Sequence, residues 1–408
     1  MKIFKTAEFF DNGVHTKKYY FCGIRYLKKI WSNLSQETHL FKFKISKKIV
    51  LSEQKIELRN DGISIIGLGD ISGEGKTGKA AVQSLLKSDI NFDNGTFNDI
   101  YRGYIPGFKK QLVFSTSNFY KNPGYDIIPL LVWEFESGMP PVRPWAFKDI
   151  YAIATFSTFC AKYFKKIAPQ DMKITVLPYP VDIDLTKLEP QKTVRAKYSI
   201  KPRDFVFFFN FSYTSSYFRK NPEGTLAAFA LAFPKHENNI KLVIKTICAN
   251  SAPNMVARLN AKIQELGLEN NIILINQDLT DGEQYSLINC CDVYVSLHRG
   301  EGLGLGMMEA MYMAKPVIAT NYGGNTDFTT PDTALMVDYK MVKPQEIDID
   351  AYKYVEKWPE PNIKTAARHM RALYNNPKLR KQIGTAGQNF IKQNFNSNRF
   401  NKTVKSFL

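Results

Sequence analysis

Ser296-Leu297-His298-Arg299-Gly300-Glu301-Gly302-Leu303-Gly304-Leu305-Gly306-Met307-Met308-Glu309-Ala310 is the stretch on which the reading of this chain turns. Val293–Ser296 before it has the unbroken apolar character of a buried strand. Three glycines then alternate, and a helical pattern opens near Gly306. The first N–H groups of a helix have no partner inside it and carry the positive end of its dipole. A strand, a glycine loop and a helix in that order can therefore hold a diphosphate on backbone alone. Glu301 lies in the loop and Glu309 about one turn inside the helix, so both can face one cavity and reach opposite ends of one ligand. A carboxylate accepting from two neighbouring hydroxyls clamps a ribose or a hexose. The other can balance positive charge developing on a reacting sugar carbon. Glu309 sits among Met307, Met308, Ala310 and Met311, which is not the setting of a solvated glutamate.

Working outward, strands and helices alternate on both sides. From Asp204 the expected strands are 205–209, 240–244, 272–274, 293–296, 316–319 and 334–337. Helices are expected at 223–232, 254–266, 282–289, 306–313 and about 363–373. An earlier run has strands at 63–66, 112–115, 128–132, 151–156 and 174–177, with helices from about 77 to 86 and at 159–166. Residues 183–202 are polar without periodicity and read as a linker, and the tail is helical around 378–390. The 408 residues thus fit two α/β domains, each a mostly parallel sheet covered on both faces.

Ligands of open α/β sheets bind beyond the carboxyl ends of the strands, and three further places qualify. Arg219-Lys220-Asn221-Pro222 leads into a helix after the first strand of the second run, with Lys245 at the end of the next strand; all three cations can meet an anion. Gly323-Gly324-Asn325 follows a strand end at Ala319-Thr320. In the first run, Gly67, Gly69, Gly73 and Gly75 line a loop ending Gly75-Lys76-Thr77, as a phosphate loop ends, but Asp70 stands where that motif needs glycine. A structural turn and a ligand loop both remain open there.

The net charge of +17 is uneven: residues 1–60 carry +8, 361–408 carry +10, and the 300 residues between carry −1. A neutral body with basic ends does not suit a nucleic-acid binder. It suits a protein resting on an anionic membrane surface, with solvated termini as the plainer alternative. In the first 60 residues Lys17-Lys18-Tyr19-Tyr20-Phe21 and Tyr26-Leu27-Lys28-Lys29-Ile30-Trp31 interleave cations with apolar side chains, as an interfacial segment or an appendage packed on the core would. Five cysteines without C-x-x-C spacing point to free thiols in a reducing compartment, with Cys290 and Cys291 in the core. With no apolar run long enough for a span and no leader, the expectation is cytoplasmic, peripheral at most on the inner face of the cytoplasmic membrane. Five scattered histidines, no Cys/His ligand spacing and no Asp-x-Asp pair that would hold a divalent ion against a diphosphate give no metal site.

Glu301-x7-Glu309 within His-Arg-Gly-Glu-Gly-Leu-Gly-Leu, followed by Pro316-Val317-Ile318-Ala319-Thr320 and Gly323-Gly324-Asn325, resembles the retaining glycosyltransferases of family 4, which have the GT-B fold. Arg219-Lys220-Asn221-Pro222 with Ala228-Phe229 is similar to that family's donor-phosphate segment. Gly67…Gly75, Trp133-Glu134, Ser157 and Pro178-Tyr179-Pro180-Val181-Asp182 extend the resemblance over roughly 62 to 340. It implies two Rossmann-like domains facing a central cleft: a basic extension (1–61), an acceptor-side domain (62–183), a linker (184–203), a donor-binding domain (204–377) and a tail crossing back to the first domain (378–408). It implies Glu301, Lys220 and Glu134 at the reacting sugar. A nucleotide sugar would be held by Arg219, Lys220, Lys245, Gly302, Leu303, Gly304, Glu309, Gly324 and Asn325, with the acceptor near Gly67, Gly69, Gly73 and Gly75. The implied activity is a metal-independent, cofactor-free hexosyltransferase of EC class 2.4, acting on a glycan or lipid-linked acceptor in bacterial surface polysaccharide biosynthesis. Relatives often have an arginine where this chain has Asn210-Phe211-Ser212, and a first-domain histidine; there is none between 40 and 235. A GT-B-like binding protein of weak catalysis and a phosphate-loop hydrolase are the alternatives.

Overall fold

A computed structural model describes residues 58–67, 73–96, 106–114, 124–139, 147, 150–233 and 239–408, with five N-terminal strands, residues 73–75 and Thr96 described by their backbone alone. These strands are β1 (Phe4–Asp11), β2 (Val14–Phe21), β3 (Ile24–Trp31), β4 (Ser35–Leu40) and β5 (Phe43–Ile49), which pair antiparallel in chain order. The expectation for residues 1–61 contained no strands. The basic-aromatic stretches lie in β2 and β3, where Asp11 pairs with Val14 and Phe21 with Ile24.

The first lobe runs β6 (Arg59–Gly67), α1 (Gly73–Leu85), β7 (Asn91–Thr96), β8 (Phe108–Phe114), β9 (Asp126–Leu130), β10 (Ile153–Thr155), α2 (Thr158–Ile167) and β11 (Ile174–Val176). Its sheet is parallel in the order β7-β6-β8-β9-β10-β11. Ile63, Ile65, Leu112, Phe114, Ile128 and Leu130 share a core cluster with Ala81 and Leu85 of α1, so these strands read as apolar runs. β7 was not expected: its Asn91-Phe92-Asp93-Asn94-Gly95-Thr96 is the composition of an edge strand, which carries little apolar signal.

A short helix α3 (Gln191–Lys197) lies in the stretch read as a linker. With Val194 alone buried in it, it is too short to show periodicity. The second lobe has β12 (Phe205–Ser212), α4 (Tyr217–Lys220), α5 (Pro222–Ala232), β13 (Ile240–Ile247), α6 (Pro253–Glu265) and β14 (Ile272–Asn276). It continues with α7 (Asp281–Asn289), β15 (Val293–Ser296), α8 (Leu305–Tyr312), β16 (Val317–Thr320) and β17 (Leu335–Val337). A hairpin, β18 (Tyr339–Val342) and β19 (Trp358–Pro361), precedes α9 (Ile363–Asn375). The main sheet is parallel in the order β14-β13-β12-β15-β16-β17. Strand order reverses between β12 and β15, and the crevice beyond their carboxyl ends is where a ligand of such a sheet sits.

α10 (Pro377–Asn394) backs Gly384 onto Ala314 of the second lobe, and α11 (Ser397–Lys405) returns to the first. There Asn401 donates to Ser84 O at 3.0 Å and the Ser84 hydroxyl donates to Asn401 Oδ1 at 2.9 Å. The carboxyl-terminal ends of both sheets thereby face one cleft. The Ser157 hydroxyl at the start of α2 donates to Gly302 O (2.8 Å), Thr158 N–H to Asp327 Oδ2 (2.7 Å), and Glu136 N–H to the Tyr322 hydroxyl (3.1 Å). Among the described residues no helix is long and apolar enough to cross a membrane.

Candidate active site

The site is assembled from three segments after strand ends. After β12, Asn221 is left-handed at φ 55° and caps α5: its Oδ1 accepts from Gly224 N–H at 3.1 Å and its Nδ2 donates to Leu297 O at 2.8 Å. With Pro222 in the first turn, where a missing N–H costs nothing, Arg219-Lys220-Asn221-Pro222 is pinned to the loop after β15. Arg219 is 2 % exposed; Nη1 donates to Gly300 O and Nη2 to Ser215 O, each at 2.8 Å. Its guanidinium also lies 3.7 Å from Glu134 Oε1 and 3.9 Å from Glu301 Oε2. Arg219 thus braces the loop as well as lending charge.

After β15, Gly302 leaves space that a Cβ would fill 2.1 Å from Val132 Cγ1 of the first lobe, and Gly304 takes φ 96° to start α8. Glu301 Oε2 accepts from Lys220 Nζ at 2.6 Å. Burial pushes the Glu301 carboxyl up, but Lys220, then Arg219, outweigh it and bring it to about 2. Burial likewise pulls the Lys220 amine down while Glu301 holds it up. Fully buried His298 shares Nδ1 with the Ser296 hydroxyl (3.0 Å) and Nε2 with Tyr322 O (2.9 Å). A carbonyl only accepts, so Nε2 carries the hydrogen and Ser296 donates to Nδ1. Burial lowers this imidazole, which is neutral and structural.

After β16, Gly324 N–H donates to Glu301 O at 2.6 Å, and fully buried Asn325 donates to Thr320 O and Thr329 Oγ1 (3.0 Å each). The amides of Gly324 and Asn325 are thus spent on holding the loops. Leu303 is buried in the core.

Glu309, 3 % exposed, faces the cleft's other end, where Lys76 of the first lobe donates to Oε1 at 3.0 Å. Lys76 belongs to the Gly75-Lys76-Thr77 end of the imperfect phosphate loop. It is bound to carboxylates across the cleft instead, which removes the main support for the hydrolase reading. Lys245 is 7 % exposed with no ion pair among the described residues; burial, then Lys76, lowers its amine. Of the glycines expected on the acceptor side, Gly67 ends β6, where an added Cβ would meet no described atom within 4 Å, Gly73 and Gly75 are in the first turn of α1, and Gly69 lies outside the described residues. Glu134 stands beside Arg219 and so near Glu301. The described residues contain no group of three His, Cys, Asp or Glu side chains placed to hold a metal ion.

Two α/β lobes with parallel sheets flanking this cleft define the GT-B fold. Residues 191–390, which include Lys220, Glu301 and Glu309, match the family model described as glycosyl transferases group 1. An alpha-1,3/1,6-mannosyltransferase of Dictyostelium discoideum is 26 % identical over 151 residues, 37 % of this chain and 30 % of that protein, so the match spans under a third of the curated relative. Sucrose-phosphate synthase of Thermosynechococcus elongatus aligns at 14 % identity with a TM-score of 0.63 over 86 % of this chain and 98 % of its own. HepE of Anabaena, in complex with UDP and glucose, aligns at 11 % identity and a TM-score of 0.61, over 85 % and 99 %.

Proposed function

We propose that this chain is a retaining glycosyltransferase of family 4 type that moves a hexose from a nucleotide sugar to a glycan or glycolipid acceptor. The observation that carries the reading is the pair of buried carboxylates, Glu301 and Glu309, at two ends of one glycine loop and helix start, each matched to a lysine. Glu309 takes the ribose hydroxyls, the amides at the start of α8 face the diphosphate, and Glu301 lies beside the anomeric carbon. Lys220 is already at the Glu301 end, and a diphosphate arriving there offers it a second anionic partner. Its charge, with that of Lys245, stabilises the departing nucleoside diphosphate, where negative charge grows in the transition state. These cations and amides do what a divalent ion does elsewhere, so we propose a metal-independent reaction.

The acceptor hydroxyl attacks the anomeric carbon from the face the diphosphate leaves. The carbon–phosphate oxygen bond breaks, the new glycosidic bond forms, and a donor phosphate oxygen takes the acceptor proton. Glu134 orients the sugar through Arg219, and the acceptor enters beside β6 and α1. The charge of the two ends, including exposed Lys378, Lys381, Lys392, Lys402 and Lys405, supports a lipid-linked acceptor at the anionic inner face of the cytoplasmic membrane and a role in bacterial surface polysaccharide synthesis.

The test incubates the full chain with UDP-, GDP- and ADP-hexoses and a panel of glycan and lipid-linked acceptors. Nucleotide release that requires acceptor, a product with the donor's anomeric configuration by NMR, and a loss of about 100-fold or more in Glu301→Gln are expected. Nucleotide release without acceptor points to a hydrolase. Donor binding with no turnover in any combination leaves the weakly catalytic binding protein.

A further inference from the structure

The nucleotide end of the cleft holds a first-lobe side chain. Lys76, in the first turn of α1, places Nζ 3.0 Å from Glu309 Oε1 and 3.2 Å from Asp281 Oδ1, with the Tyr285 ring centre 5.2 Å away. Its side chain is 20 % exposed and that of Glu309 4 %. Around the Glu309 carboxylate stand Asp281 and Tyr285 from α7, Lys245 from β13, Tyr294 from β15 and Tyr179 from the segment after β11. A carboxylate this buried takes up a proton unless a cation holds it charged. Burial does raise the Glu309 carboxyl, with Lys76 the main group opposing it. Lys76 takes Oε1; no described residue donates to Oε2.

We propose that Lys76 is a positioning residue of the donor site, supplied by the lobe opposite the one that binds the donor. It fixes Oε1 and keeps Glu309 an anion, so that Oε2 is free to accept from the nucleotide ribose. The grip on the ribose is then complete only while the lobes are together, which couples donor binding to closure of the cleft. The proposal rests on the reading of Glu309 as the ribose clamp. The opposite role is a placeholder: an ammonium that fills the site until ribose displaces it. The two make opposite demands on a variant without the charge.

The full chain is titrated calorimetrically with UDP, GDP and ADP from about pH 6 to about pH 8.5, each variant expressed as a ratio to wild type so that the titration of the phosphate cancels. Lys76→Met is expected to weaken the tightest of these nucleotides by about tenfold or more near neutrality. The deficit grows as pH falls, because Glu309 without its cation binds a proton. Lys76→Arg stays within a few-fold of wild type. Glu309→Gln is equally weak with a flat ratio, and Lys76→Met added to it costs nothing more. Lys76→Gln, which keeps a donor to Oε1 without the charge, shows the same pH trend at smaller amplitude and serves where the Met variant does not fold. Binding as tight as or tighter than wild type in Lys76→Met, a pH-independent ratio, or failure of Arg to rescue overturns the proposal. Wild type binding none of the three nucleotides sinks the ribose reading of Glu309 itself, a different failure, and the positioning role falls with it.

Discussion

Glu301 shows how a buried carboxylate stays charged: one lysine at hydrogen-bond distance and one arginine bracing the same loop offset its loss of water. Its carboxyl lies near 2 in the folded chain against an ordinary value of about 4.3. A folded value below the unfolded one means that the carboxylate adds stability above the ordinary value and loses it as pH falls towards 2. Between pH 5 and pH 3 that single group accounts for about 2 kcal/mol. Urea midpoints measured at both pH values in wild type and Glu301→Gln are therefore expected to converge in acid, the variant lacking this part of the acid limb. Equal acid sensitivity in the two proteins counts against a charged Glu301 in the folded state.

At the scale of elements, Arg219-Lys220-Asn221-Pro222 is one device with four functions, and Asn221 is the joint. Asn221→Ala removes the α5 cap, leaves Leu297 O without its donor and puts a Cβ-bearing residue without a polar side chain at φ 55°. A cap is worth about 1 kcal/mol, an orphaned buried carbonyl about 1–3, and the left-handed backbone about 1–2. The expected cost is about 3 kcal/mol by chemical denaturation, with a raised KM for the donor; Asn221→Gly recovers about 1 of it by relieving the backbone. Indistinguishable Ala and Gly variants contradict the strain.

The alternation of strands and helices and the carboxylate pair were legible in the sequence because apolar runs and glycine loops are local signals. Other features were not. Lys76 and Glu309 are 233 positions apart, and no spacing rule brings them together. Arg219 read as a phosphate ligand because its role as a brace depends on Gly300 and Ser215 being folded around it. The N-terminal sheet has one local signal, Asn12-Gly13 between two aromatic runs, but the lysine pairs Lys17-Lys18 and Lys28-Lys29 break the apolar alternation that marks a strand.

For the molecule as a whole, contacts that join the lobes gather at the loops after β15 and β16 and at the helix that carries Glu309. Ser157 and Val132 of the first lobe meet Gly302, and Lys76 meets Glu309. Gly302 is one point at which an added side chain would limit how closely the lobes approach. Gly302→Ala places a methyl 2.1 Å from Val132 Cγ1, so the two side chains cannot both keep their places. Overpacking of this kind costs about 1–3 kcal/mol. The least expensive relief is to part the lobes rather than distort either sheet, because no strand pairs across the cleft. One to two kcal/mol shifts a two-state balance by a factor of about 5 to 30. Gly302→Ala is expected to expand the radius of gyration in small-angle scattering and to lower turnover by up to that factor, with each lobe still folded. Val132→Ala in the same chain removes the opposing methyl and restores both readouts. If turnover falls without expansion, or the second substitution rescues neither, closure is set elsewhere and Gly302 serves only its own loop.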